Sequence, residues 1–274
     1  MSKEEPAKTI AETTIKTTVR FIGVGGCIPH VGGETSSVLI NDDTLVDAGW
    51  NAAHHMRRFG CDPLNLKYVF ITHCHHDHYV GLAQLMFYYR SMAEKDGEAK
   101  PPLVIVGPRA EIGMVVERTR HFLQMERYPR VGCAVEVVDL RPGSKYETDR
   151  LRVATAQTLH PTVGLCYRFE DKQTGAVVAI TGDTAYHPAL SRHVANADLL
   201  VHEASHGPVS RDPLLEGGHS GALDAANIAK AAAVKRLCLV HFNIEKRAEI
   251  VRAARDIFPE TYAPEEGEVV SLPA

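Results

Sequence analysis

The chain has 274 residues and a formal net charge of −4, from 30 Lys and Arg against 34 Asp and Glu. Hydrophobic residues make up 45% and charged residues 23%, ordinary for a globular protein, which excludes collagen-like, coiled-coil and largely disordered chains. The acidic balance disfavours nucleic acid held by bulk charge alone and leaves room only for local basic patches.

Residues 1–16 read as a polar N-terminal arm and 17–274 as one domain. Val19 to Ile22 alternates and then meets Gly23-Val24-Gly25-Gly26, a strand running into a tight turn. Ser37 to Ile40 and Thr44 to Asp47 flank Asn41-Asp42-Asp43 and predict a hairpin. A short helix over 50–60 precedes a buried strand over 68–71. Residues 80–94 predict a helix whose Phe87, Tyr88 and Tyr89 fit a core face better than a pocket wall. A strand at 103–106 leads to a long amphipathic helix over 109–127, with Arg118, Arg120, Arg127 and Arg130 on its solvated face. Strands follow near 134–138, 151–156, 165–170, 176–181, 199–201 and 237–240. An Ala-rich helix over 222–234 lies between the last two, with Ser220 placed to cap it. Strands interleaved with helices predict an α/β domain.

The six cysteines, Cys27, Cys61, Cys74, Cys133, Cys166 and Cys238, form no C-x-x-C pair and are spread evenly. That suits unpaired thiols in a reducing compartment. The polar start shows no apolar signal region, and no run approaches the roughly 18 apolar residues of a membrane span. The expectation is a cytoplasmic protein with no membrane association.

The unusual count is 15 histidines, and they cluster. Four strands end in side chains able to bind metal or carry protons. Strand 68–71 runs into Thr72-His73-Cys74-His75-His76-Asp77-His78, strand 176–181 into Asp183, strand 199–201 into His202-Glu203, and strand 237–240 into His241. Sites in α/β sheets gather outside these carboxyl ends. His73, His75, Asp77 and His78 are too dense for one tetrahedral ion and suit a loop addressing two adjacent ones. His160, Asp183 and His241 are the candidates to complete both sites. Burying three imidazoles and a carboxylate together without metal would be costly.

Thr72 to His78 resembles the T-H-x-H-x-D-H signature of the metallo-β-lactamase superfamily, and the resemblance runs from about Thr17 to Phe242. It implies a four-layer αββα sandwich with a two-metal site at one edge. By motif position, His73, His75 and His160 would hold one metal, and Asp77, His78 and His241 the second. Asp183 would bridge them, and Asp47 matches an early structural Asp. His75 stands where diiron oxygen reductases of this fold carry Glu, which argues for hydrolytic chemistry. The likeness is closer to the ribonuclease Z branch. Phe21-Ile22-Gly23 through Thr35-Ser36-Ser37 resembles its opening loop. His202-Glu203-Ala204-Ser205 is similar to its H-E-A-T motif, and His219-Ser220-Gly221 to its H-S-T motif. The resemblance implies that His219 protonates the leaving group and Glu203 orients it; Asp77 joins them as a candidate catalytic residue. A homodimer is implied as well.

Four departures disfavour precursor tRNA. The segment from His160 to Asp183, where many bacterial ribonucleases Z carry a long RNA-gripping arm, has room for little more than a hairpin turning at Asp171 to Gly175. The opening loop Pro29-His30-Val31-Gly32-Gly33-Glu34 lacks Lys and Arg. Ala185 stands where the ribonuclease tends to have Arg, and the net charge is acidic. The expected activity is a dinuclear hydrolase, with zinc first and manganese or iron fitting the same ligands. A metal-bridging hydroxide would attack a small phosphodiester or related ester. The alternatives are a lactone, thioester or β-lactam hydrolase, which has no evident use for His219 and Glu203, or a non-catalytic metal-binding module. Gly23-Val24-Gly25-Gly26 is a weak phosphate cradle and fits a turn beside the metals better. His30 is a possible substrate contact in the opening loop.

Overall fold

The computed structural model describes residues 15–95, 100–210 and 217–273. Most of the arm expected at residues 1–16 lies outside them. Strands β1 (Thr17–Gly23), β2 (Ser37–Ile40), β3 (Thr44–Val46), β4 (Tyr68–Phe70), β5 (Leu103–Pro108) and β6 (Val135–Leu140) build the first sheet. Strands β7 (Lys145–Glu147), β8 (Leu151–Gln157), β9 (Leu165–Asp171), β10 (Val177–Ile180), β11 (Leu199–Glu203), β12 (Leu237–Val240) and β13 (Thr261–Tyr262) build the second. Strand β14 (Val269–Leu272) returns to the first sheet beside β1. Each sheet pairs its strands antiparallel along one half and parallel along the other.

Parallel neighbours need crossovers, and the crossovers supply the outer layers. Helices α1 (Ala52–Arg58), α2 (His76–Tyr79), α3 (Leu82–Lys95) and α4 (Ile112–Phe122) follow strands of the first sheet. Helices α5 (Leu190–His193), α6 (Ala222–Ala231) and α7 (Arg247–Arg255) follow strands of the second. The period-2 pleat sorts each strand between two cores. Phe21, Val38, Phe70 and Val106 face Tyr167, Phe169, Val201 and Val240 between the sheets. Ile22, Leu39, Val69 and Ile105 face the helices of the first sheet, and Leu200 and Leu239 those of the second. This is the expected αββα sandwich.

The β2–β3 hairpin turns through Asn41 and Asp42 at φ +52° and +61°, the left-handed geometry that primed turns require. Helix α4 is shorter than the expected 109–127. It stops at Phe122, and Gln124 at φ +53° turns the chain away, so Arg127 and Arg130 lie beyond the helix. Strands β7, β13 and β14 and helices α2, α5 and α7 had no counterpart in the expected elements; Asp77 and His78, expected on a loop, lie in α2. Tyr89 is buried in the core of the first sheet's helical side and Tyr88 packs at its edge, whereas Phe87, expected on the same core face, is exposed.

Asp171, buried at the end of β9, ties the two sheets together. Its Oδ2 accepts from Thr17 Oγ1 at 2.7 Å and Asn41 Nδ2 at 3.0 Å in the first sheet, and from Arg150 Nε at 2.8 Å in the second. Its carboxyl is held below the usual range because these donors outweigh the effect of burial. Asp171→Ala leaves the donors and the partly exposed guanidinium without their acceptor. It is expected to cost roughly 2–3 kcal/mol, read as a lower urea midpoint at unchanged slope. A shift below about 0.5 kcal/mol would mean that packing alone joins the sheets.

Candidate metal centre

The candidate residues lie where parallel strands end. Past β4, Ile71 still donates to Val106 O at 2.8 Å, and the chain then leaves the sheet as the His73 to His75 loop that caps α2. Asp47, just past β3, clamps that loop. It accepts from Thr72 N at 2.7 Å, Thr72 Oγ1 at 2.8 Å and His78 Nδ1 at 2.8 Å. Asp47 and His241 both take left-handed backbone, φ +59° and +53°, a strain of about 1–3 kcal/mol each that the surrounding contacts hold.

The expected triads His73–His75–His160 and Asp77–His78–His241 each bring their ligand atoms within 4.8 Å of one another, and His73–His78–Asp183, His160–Asp183–His219 and Glu203–His219–His241 meet the same spacing. Asp183, from the loop after β10, stands between them. Its Oδ2 is 3.7 Å from His73 Nε2, 3.5 Å from His78 Nε2 and 3.6 Å from His241 Nε2. Asp77 Oδ2 is 3.3 Å from both His78 Nε2 and His241 Nε2. Burial by itself would push the Asp183 carboxyl up, but these imidazoles hold it well below its ordinary value. His73 Nε2, His78 Nε2 and Asp183 Oδ1 are buried with no hydrogen-bond partner. Buried polar atoms are rarely left so, and the three belong to residues whose ligand atoms lie within 4.8 Å of one another. Nitrogen and carboxylate oxygen donors suit zinc, manganese or iron(II), so the residues fit two divalent ions.

Neighbours fix which imidazole nitrogen faces inward. His160 Nδ1 donates to Gly218 O at 2.8 Å, leaving Nε2 beside His75 Nδ1 at 3.0 Å. Gly218 must be glycine here: it sits at φ +62°, and a Cβ would lie 2.9 Å from His160 Cα. His241 Nδ1 pairs with Ser205 Oγ at 2.7 Å. Sequence reasoning assigned Ser205 no such role; its only signal was its place in His202-Glu203-Ala204-Ser205.

His219 lies beside the triads, 3.7 Å from Asp183 Oδ2. Its Nδ1 donates to Glu203, 3.1 and 3.2 Å from the two oxygens, which leaves Nε2 as the nitrogen able to pass a proton. Glu203 is itself pinned by Thr184 N at 2.7 Å and Ser205 N at 3.2 Å. Burial opposes the charged imidazole, but the Glu203 hydrogen bond and charge outweigh it and raise His219 to about 9. His202 is excluded by the pleat: it shares the face of Leu200 and is buried, its Nδ1 on Glu203 O at 2.9 Å. Ser220 does not cap α6 as expected. It donates to Thr184 O at 2.6 Å, tying the His219 loop to the Asp183 loop, while Asp224 Oδ2 accepts from Gly221 N at the helix start.

A cleft of about 840 Å³ opens over this cluster, with His75, Asp77, Asp183, His219 and His241 on its floor. The opening loop, residues 25–30 including His30, forms one wall. Gly25 bridges to both Thr35 and Phe242, so the glycine-rich turn lies beside the cluster.

A family model described as a beta-lactamase superfamily domain matches residues 43–242. Ribonuclease Z of Methanothermobacter thermautotrophicus is 26% identical over 294 residues, covering 89% of this chain and 92% of its own. Ribonuclease Z of Metallosphaera sedula is 27% identical over 305 residues, covering 93% and 99%. Among solved structures, the metallo-beta-lactamase fold protein YhfI from Bacillus subtilis superposes with a TM-score of 0.79 at 25% identity, covering 94% of this chain and 100% of its own. The short form of human tRNase Z gives 0.75 at 22% identity, with 94% and 100% covered; that likeness speaks for the fold alone.

Proposed function

This chain belongs to the beta-lactamase superfamily, in its ribonuclease Z-like branch, and from that premise we propose that it is a dinuclear metal-dependent phosphodiesterase acting on small substrates. The observation that carries the reading is the His219–Glu203 pair beside Asp183, a proton donor set next to a site with ligands for two ions. His73, His75 and His160 would hold one ion, Asp77, His78 and His241 the other, and Asp183 would be shared. Zinc is the first expectation, with manganese and iron(II) fitting the same donors. When bound, such ions lower the pKa of an attacking water and offset the charge developing on the phosphoryl oxygens.

The chain's own residues supply the rest. His219 protonates the departing alkoxide from Nε2, while Glu203 holds Nδ1 and favours the charged imidazole that must give the proton up. Thr184 N and Ser205 N fix the Glu203 carboxylate, so the pair is oriented before substrate arrives. Asp47 sets the His78 tautomer and the path of the chain from Thr72 into α2.

Small substrates are favoured over precursor tRNA. This reading is supported by strands β9 and β10, which with their tight turn at 172–176 use most of the chain between His160 and Asp183. The opening loop brings His30 to the cleft and no lysine or arginine. The test is a panel of bis(p-nitrophenyl) phosphate, a cyclic nucleotide, an aryl sulfate, a lactone, a thioester and precursor tRNA. The phosphodiesters are expected to turn over best and the tRNA poorly. Efficient, salt-sensitive cleavage of a tRNA 3′ trailer would overturn the small-substrate reading. Turnover of the lactone or thioester alone would overturn the phosphodiesterase itself.

A further inference from the structure

The polar cluster occupies only the floor of the cleft. Beside it stands an apolar lip made by two segments, Cys27-Ile28-Pro29 of the opening loop and Ile244 beyond β12, with the buried Phe242 behind them. The bridge between Gly25 and Phe242 and the hydrogen bond from His241 N to Val24 O, 2.8 Å, join the two segments into one wall. Single exposed hydrophobic residues are common, but this one is placed: Ile28 is 82% exposed and lines the cleft above the candidate reacting centre.

The wall is also held in shape. Trp50 Nε1 donates to Cys27 O at 3.2 Å, and Arg58 Nη1 donates to Gly32 O at 2.6 Å. Gly33 N donates to His30 O at 2.9 Å, and the His30 ring fills the place a side chain at Gly33 would take, since an added Cβ would lie 1.9 Å from His30 Cε1. A wall fixed before binding loses little order when it meets a ligand. No lysine or arginine is among the described residues lining the cleft, so a second phosphate set against this lip would lose water without gaining a partner.

We propose that this lip reads an apolar or aromatic alcohol on the phosphodiester, with Ile28 and Ile244 as specificity-determining residues. The inference rests on the phosphodiesterase reading of the floor and adds the chemistry of the group attached to phosphorus. Covering one aliphatic side chain with the ligand is worth about tenfold or more in affinity.

The test uses two anions whose P–C bonds resist hydrolysis, diphenylphosphinate and dimethylphosphinate, titrated into the metal-loaded full chain. Calorimetry gives the affinities. The emission of Trp50, the chain's one tryptophan, reports occupancy, because its ring lies edge-on to His76 of the cleft at 5.7 Å and is bonded to Cys27. The diphenyl anion is expected to bind at least about tenfold tighter. Ile28→Ser should cut that preference by about tenfold, and Ile28→Leu should keep it. Ile28 is too exposed for either change to unfold the chain, which an unchanged melting temperature confirms. Equal affinities in the unsubstituted protein, or a preference untouched by Ile28→Ser, would overturn the lip assignment and leave the phosphodiesterase standing. Failure of both anions to bind would overturn the phosphodiesterase reading, and the lip assignment with it.

Discussion

Asp183→Ala is expected to lose at least one of two metal ions and about 10³-fold or more of phosphodiesterase activity. The reason is geometric. Asp183 Oδ2 lies within 3.7 Å of nitrogens from His73 of one triad and from His78 and His241 of the other. It is the carboxylate placed between the two proposed ion sites, and its Oδ1 is buried without a hydrogen-bond partner. Without it, each proposed site loses a charged donor and the imidazoles converge with less compensation. Several kcal/mol of transition-state stabilisation depend on metal held this way, and each 1.4 kcal/mol is about tenfold in rate. Elemental analysis checks the content: two ions per chain in the unsubstituted protein and at most one in the variant. Fully active protein with one ion or none would end the dinuclear proposal. Circular dichroism separates loss of metal from loss of fold.

His219→Ala is expected to leave metal content unchanged and to lower activity by an amount set by the leaving group. His219 is outside both proposed triads, and although it also lies within ligand spacing of His160 and Asp183, its Nδ1 is committed to Glu203. General-acid catalysis typically contributes about 10²–10⁴-fold. A substrate releasing p-nitrophenolate needs little protonation and should lose modestly. A substrate releasing a ribose hydroxyl should approach the full loss. Glu203→Gln should follow the same pattern more weakly, because Glu203 orients the imidazole and does not hand over the proton. Equal losses for good and poor leaving groups would remove His219 as the acid. Loss of an ion in His219→Ala would make it a ligand, a result its 3.7 Å approach to Asp183 makes worth measuring.

The centre of the site was legible because it is local. Four candidate ligands fall within Thr72 to His78, and short Val, Ile and Leu runs announce the strands that deliver Asp183, Glu203 and His241. The same period-2 pattern separates His202 from Glu203, since alternate residues of β11 must face opposite layers. The interleaved strands and helices gave an α/β domain, and the αββα sandwich came from the family resemblance; the division of each strand's hydrophobic residues between two cores is seen in the structure.

What the sequence by itself determined, then, was the kind of chemistry and the order of the parts that carry it. The tertiary structure alone decided which neighbour holds each part. Strands β7 and β13 have three and two residues and exist because a partner edge offers hydrogen bonds, a condition no local propensity encodes. Ser220 has the right type for a helix cap, yet its hydroxyl is taken by Thr184 O, brought close from another strand end. Ser205 reaches His241, and Asp171 joins Thr17 and Asn41 to Arg150, across long stretches of chain. The apolar lip likewise appears only when Ile28 and Ile244, from opposite ends of the domain, meet at one wall. Residue type fixes what a group can bond to; packing of the two sheets fixes which partner comes within reach.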